Sequence, residues 1–196
     1  MRSGRVSRET EETSVEVEII LDGNGKGKID TGIATLDHLL GAFSEHGMFD
    51  LAVKAKDSKP IDGHHLVEDV GIVLGSAVKK ALKDRRGIRR FGFSITPMDD
   101  ALSLVSVDIS GRGVVKTRMR FSGERIGDMS TGLIQHFLQS FGSNSGVNLH
   151  ARILSGADDH HKAESLFKAL GLALRQAVEI DERRSKEIPS QKGILD

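Results

Sequence analysis

Hydrophobic residues recur along the chain with two periods, and each change of period marks out an element. Over 13–21, apolar Val15, Val17, Ile19 and Leu21 alternate with Glu16 and Glu18, which predicts a half-buried strand ending at Asp22-Gly23-Asn24-Gly25. Over 33–46, Ile33, Leu36, Leu39, Leu40 and Phe43 fall three and four apart, the spacing of a helix, and Gly47 stops it. A short strand over 50–55 and a longer helix over 67–82 follow. The second half gives three strand-like runs, over 90–96, 101–109 and 114–121, divided by Pro97 and by Gly111-Arg112-Gly113. A short helix over 133–141, a strand over 147–154, a long helix over 163–180 and a polar tail over 183–196 complete the pattern.

The order repeats, and so do particular residues. Thr31-Gly32-Ile33 leads to His38 in one short helix, and Thr131-Gly132-Leu133 leads to His136 in another. His64-His65-x-x-Glu68 opens one long helix, and His160-His161-x-x-Glu164 opens the other. The separations, 98 residues from His38 to His136 and 96 from His64 to His160, are about half of the 196-residue chain. The economical reading is one α+β domain over 1–196, internally duplicated, with pseudo-symmetric halves of about 10–86 and 88–182, each a sheet packed on one face by helices.

Composition narrows the function. Cysteine is absent, which excludes disulfides, thiol nucleophiles and cysteine-bearing metal sites. The 28 basic residues balance 28 acidic ones, and the basic pairs are short and interleaved with acids, so no nucleic-acid partner is expected. No apolar run approaches the ~20 residues needed to span a bilayer. The charged, polar stretch over 1–14 has no resemblance to a secretory signal, and a cytoplasmic location is the expectation. The glycines over 23–27 lack the spacing of a phosphate loop and read as a hairpin turn.

Eight histidines in a chain without Trp or Tyr are the compositional oddity. Positions i and i+4 share a helix face, so His64 with Glu68, and His160 with Glu164, can each offer a cation one nitrogen and one oxygen. His65 and His161 point about 100° away around the helix and must serve a second centre or none. Pseudo-symmetry then suggests two sets, His38, His64, Glu68 and His161 around one metal, and His136, His160, Glu164 and His65 around the other. Ligands of this type suit Mn²⁺ or Fe²⁺, and also zinc, cobalt and nickel. Neighbouring subunits are possible contributors, in which case metal also supports assembly.

Several motifs in order carry a resemblance. They are Thr31-Gly32-Ile33-Ala34-Thr35-Leu36-Asp37-His38-Leu39-Leu40, His46-Gly47-Met48-Phe49-Asp50-Leu51, Asp62-Gly63-His64-His65-x-x-Glu68-Asp69, Gly87-Ile88-Arg89-Arg90-Phe91-Gly92, Pro97-Met98-Asp99, Val107-Asp108-Ile109-Ser110-Gly111-Arg112, and His160-His161-x-x-Glu164 with Phe167-Lys168-Ala169-Leu170. From about Val6 to Leu195 the chain resembles the imidazoleglycerol-phosphate dehydratase family. It departs from the family at Asp100, where Glu is usual, at Gln191, which interrupts a Ser-Thr-Lys-Gly ending, and at Gly41 and Gly63. None of these removes a metal ligand.

The resemblance implies a ribosomal protein S5 domain 2-like fold and a monofunctional carbon-oxygen lyase of histidine biosynthesis. The reaction it implies turns D-erythro-imidazole glycerol phosphate into imidazole acetol phosphate with two Mn²⁺ per active site. The route would pass through a metal-bound imidazolate and a diazafulvene-like intermediate. It implies Glu12, His46 and Asp99 as acid, base or orienting groups, and Arg90, Arg112, Ser190, Gln191 and Lys192 as substrate contacts beside Glu12, His38, His46, His64, Glu68 and His160. It further implies self-association into a 24-mer built from trimers. Two other classes stay open on the residues alone: a two-metal phosphoesterase, and a metal-assembled structural cage without catalysis.

Overall fold

The computed structural model describes residues 1–59 and 62–195. The first half runs β1 (Ser3–Glu9), β2 (Thr13–Ile20), β3 (Gly27–Asp30), α1 (Ala34–Gly47), β4 (Asp50–Asp57), α2 (His64–Leu82). The second runs β5 (Phe91–Met98), β6 (Ala101–Asp108), β7 (Val115–Arg118), a small hairpin β8 (Arg125–Ile126) and β9 (Met129–Ser130), α3 (Gly132–Ser145), β10 (Asn148–Ser155), α4 (Asp159–Val178). The two four-stranded sheets have the same order, β1-β2-β4-β3 and β5-β6-β10-β7, and in each only the last pair is parallel. This is the duplicated α+β arrangement expected from the repeat.

Each sheet buries one face. On β2, Val15, Val17 and Ile19 are inside while Ser14, Glu16 and Glu18 face out, as the pleat requires. On β6, Ser103, Val105 and Val107 do the same. The helices lie against these inner faces and pair across the halves, α2 on α3 and α1 on α4. Glycines permit the close approach: a Cβ on Gly75 of α2 would lie 2.5 Å from the Phe141 carbonyl oxygen of α3, and one on Gly171 of α4 would lie 2.5 Å from that of Phe43 in α1. Phe43, Phe137, Phe141 and Phe167 fill the shared layer, with Phe137 and Phe167 ring centroids 5.3 Å apart.

The structure adds what periodicity left out. β1 contains a single half-buried apolar residue, Val6, among charged and polar neighbours, so it reads as a polar segment although it pairs with β2 along its whole length. α2 and α4 begin three and four residues before their apolar periodicity, because polar first turns carry the histidines.

Candidate active site

Four of the eight histidines, His38, His160, His64 and His136, cluster where helices from opposite halves meet. α4 is preceded by Asp158, whose carboxylate accepts from the amides of His160 (2.7 Å) and His161 (3.2 Å), a side-chain N-cap that fixes the first turn. One turn later Glu164 is largely buried, with 10% of its side chain exposed. Its Oε2 lies 3.2 Å from His38 Nε2 on α1 and 3.3 Å from His160 Nε2. The two rings stack at 5.1 Å, and the three potential ligand atoms lie within 4.8 Å of one another. The other Glu164 oxygen receives Lys168 Nζ at 2.7 Å. Burial pushes the Glu164 carboxyl up, but Lys168 and His38 outweigh it and hold the group below its ordinary value, ionised and able to bind a cation.

A looser counterpart sits across the pseudo-symmetry. His64 of α2 and His136 of α3 have ring centroids 4.5 Å apart, and Glu68 Oε2 is 3.9 Å from His64 Nε2. Within one chain, therefore, His38 joins His160 and Glu164, whereas pseudo-symmetry on the sequence had joined it to His64 and Glu68. The reason is the packing: α1 lies on α4 and α3 on α2. Two imidazoles and a carboxylate form a nitrogen-oxygen donor set that fits a first-row divalent cation.

His65 and His161 turn away from both clusters and meet carboxylates of strand turns. His65 Nδ1 lies 3.0 Å from Glu12 Oε2, and His161 Nδ1 lies 2.7 Å from Asp100 Oδ1, with Asp99 Oδ2 3.5 Å from the other ring nitrogen. Glu12 precedes β2 as Asp100 precedes β6, so the two turns are equivalent. Asp100 also accepts from the Ala157 amide, and these bonds hold it well below the carboxylate range while its bond raises the His161 pKa. The Glu12 turn is tied down by buried Asp69 on α2, which accepts from Arg8 Nε at 2.8 Å and from the Thr13 hydroxyl.

The remaining candidates lie elsewhere on the chain. His46 is in the last turn of α1, eight residues and about 12 Å along the axis from His38. Arg90 pairs with Asp108 (2.7 Å) and donates to the Pro189 carbonyl (2.9 Å), Arg112 approaches the same carboxylate at 4.0 Å, and Ser190 Oγ accepts from the Lys192 amide at 3.2 Å. Arg90, Ser190 and Gln191 line one open cavity of about 460 Å³. This group stands at the C-terminal end of α4, where the Arg90 amide bonds the Ala177 carbonyl, seventeen residues and about 25 Å from His160. On sequence, Lys168 and Asp69 stood only inside motifs and Asp100 only as a departure from the family, none with a role at the site; the i+4 spacing of Lys168 from Glu164 is the signal that could have given it one.

Residues 31–174 match the family model described as imidazoleglycerol-phosphate dehydratase. The chain is 51% identical over 195 residues to the imidazoleglycerol-phosphate dehydratase of Methanocella arvoryzae, covering all of both chains, and 49% identical to that of Clostridium botulinum strain Langeland, covering 97% of each. Its fold is similar to the crystal structure of the Staphylococcus aureus N315 enzyme (TM-score 0.81, 30% identity, 91% of this chain and 99% of that one). It is also similar to that of the Pyrococcus furiosus enzyme in complex with (S)-C348 (TM-score 0.83, 36% identity, 97% and 100%).

Proposed function

Because the chain belongs to the imidazoleglycerol-phosphate dehydratase family, whose reaction is a dehydration in histidine biosynthesis, we propose that it acts on D-erythro-imidazole glycerol phosphate with two Mn²⁺ per active site. The observation that carries this reading is the meeting of His38 Nε2 and His160 Nε2 on one oxygen of Glu164. His64, Glu68 and His136 form the second donor set, and His65 and His161 are offered to neighbouring copies. Cations held by these donors would supply Lewis acidity to the substrate's ring nitrogens.

The chain's own residues do the rest. The substrate has no carbonyl beside the proton to be removed, so the ring must feed electrons to the departing hydroxyl, giving a diazafulvene-like intermediate. Loss of a proton from the neighbouring carbinol carbon completes the loss of water and leaves an enol, which becomes the ketone by taking a proton at the carbon next to the ring and releasing its O–H proton. Glu12, beside His65, and Asp99, beside His161, move or orient protons in this reading, with His46 supplied from another chain. Arg90, Arg112, Ser190, Gln191 and Lys192 hold the phosphate, the arginines by paired N–H donors and the lysine as a point charge.

A substrate this small cannot bridge the about 25 Å between the histidine end and the arginine end of α4, which supports active sites shared between chains. Self-association into a 24-mer built from trimers accounts for it. The outer face of β5 supports a contact between copies: Phe91, Phe93 and Ile95 are exposed, Phe93 by 66%, where β1 has Ser3, Arg5 and Ser7. Among the described residues no helix is long and apolar enough to cross a membrane, and a cytoplasmic location belongs to the same reading.

The test is turnover of imidazole glycerol phosphate by metal-stripped protein, with and without Mn²⁺, while light scattering follows particle mass. Mn²⁺-dependent ketone formation with growth in mass is expected. Assembly without turnover would leave the cage reading standing and overturn this one.

A further inference from the structure

The two halves differ by an insertion. β7 follows β3 by 88 residues, but α3 follows α1 by 98, and the added residues fold as the β8–β9 hairpin with Gly127-Asp128 at its turn. Ile126 and Met129 anchor the hairpin in the core, yet its tip reaches across to the other half. Asp128 Oδ2 accepts from the Ala34 amide at 2.7 Å, Asp128 Oδ1 accepts from the Thr35 amide at 3.0 Å, and Thr35 Oγ1 donates to the Ile126 carbonyl at 3.1 Å. Gly127 has φ +53°, and a Cβ there would come within 2.7 Å of Thr35 Oγ1, so the turn needs glycine to approach.

These bonds supply what α1 lacks. Ile33 occupies its N-cap position and offers no side-chain acceptor, so the first amides of the helix would otherwise be without partners. The hairpin's leading end is held as well: the amides of Ser122 (2.8 Å) and Gly123 (2.7 Å) donate to Asp159, the first residue of α4. The insertion thus straps together the first turns of α1 and α4, the two helices that bring His38 to His160 and Glu164. No side chain of the hairpin caps α2 or α3.

We infer that Asp128 is a positioning residue for His38, clamping the first turn of α1 so that this ring meets Glu164 and His160, and that it serves this donor cluster and not the His64, Glu68 and His136 cluster. His38 stands one turn beyond Thr35, so a first turn released from its cap displaces the ring directly. The consequence for metal rests on the cation reading above. The displacement of the ring does not.

Two measurements on the full chain separate them. In metal-stripped protein carrying labelled histidine, Asp128→Ala moves the imidazole resonances of His38 and His160 and leaves those of His64 and His136 in place. Asp128→Asn, which keeps one acceptor oxygen, moves them less. In a Mn²⁺ titration followed by electron paramagnetic resonance, Asp128→Ala weakens one class of sites by about tenfold and spares the other. Unmoved His38 resonances, displacement of all the rings alike, or equal weakening of both classes would overturn the clamp. A wild-type chain that takes up no Mn²⁺ overturns the cation reading alone, and the resonances still decide the clamp.

Discussion

His38 and Glu164 come from opposite halves of the chain, 126 positions apart, and meet at 3.2 Å on the line where α1 packs on α4. A site assembled in this way depends on both halves, and its carboxylate is the point of convergence.

Replacing that carboxylate by an amide removes the anionic oxygen shared by two imidazoles. Glu164→Gln should lower turnover by roughly 100-fold or more and reduce the assembled mass, and Glu68→Gln should do the same at the counterpart. Assays of turnover beside light scattering check this, and normal activity and size in both variants would sink the paired-site reading.

Glu12 belongs to neither donor cluster, and the proposed function gives it a part in proton transfer. Glu12→Gln should cost about 100-fold or more in kcat with particle mass unchanged, as loss of a proton-transfer group does. Full activity with intact assembly would reassign Glu12 to a partner of His65 only.

Arg112 is exposed and only loosely engaged with Asp108, so its guanidinium is free to bind an anion. Arg112→Ala should raise KM by about tenfold and leave kcat within a few fold, the pattern of lost ground-state binding. An unchanged KM refutes its place at the phosphate.

The helix layer can be probed with two glycines. Gly75→Ala drives a methyl toward the Phe141 carbonyl and should destabilise the fold by about 1–3 kcal/mol. Gly41→Ala on α1 meets nothing within 4 Å and should stabilise by about 0.4–1 kcal/mol. Denaturant midpoints of opposite sign are the expected result.

Asp22 gives a pH signature. Its bond from Arg2, reinforced by the Arg2 amide, lowers its pKa from the ordinary 3.8 against an opposing effect of burial. A carboxyl depressed in the fold adds stability that is complete above 3.8 and is lost as pH falls through the depressed value. Thermal unfolding between about pH 2 and 6 should show wild type above Asp22→Asn at the upper end, with the gap closing toward the lower; a constant gap would count against it.

The sheet strands with alternating Val and Glu, the long apolar helices and the His-His-x-x-Glu starts were legible because each writes its period or its motif into consecutive residues. β1 was not, since an edge strand with one inward Val6 looks like a polar segment, and β3, β8 and β9 are too short to show a period. The ligand types were readable, but their grouping was not. It depends on which helix lies on which, and the glycines that decide this, Gly75 and Gly171, signal only close approach and not the partner. The cap on α1 was hidden for the same reason, as 94 residues separate Asp128 from Ala34.

The cross-pairing of the helices gives the single chain the internal symmetry of a dimer. α3 corresponds to α1 and α4 to α2, so the contacts α1–α4 and α2–α3 are one contact occurring twice. A chain of half the length would regenerate both by joining a second copy of itself about a two-fold axis, each copy lending its short-helix histidine to the other's His-x-x-x-Glu. The duplicated chain thus has the arrangement of a two-fold dimer joined end to end, with the hairpin that grips its neighbour present in one half and not in the other.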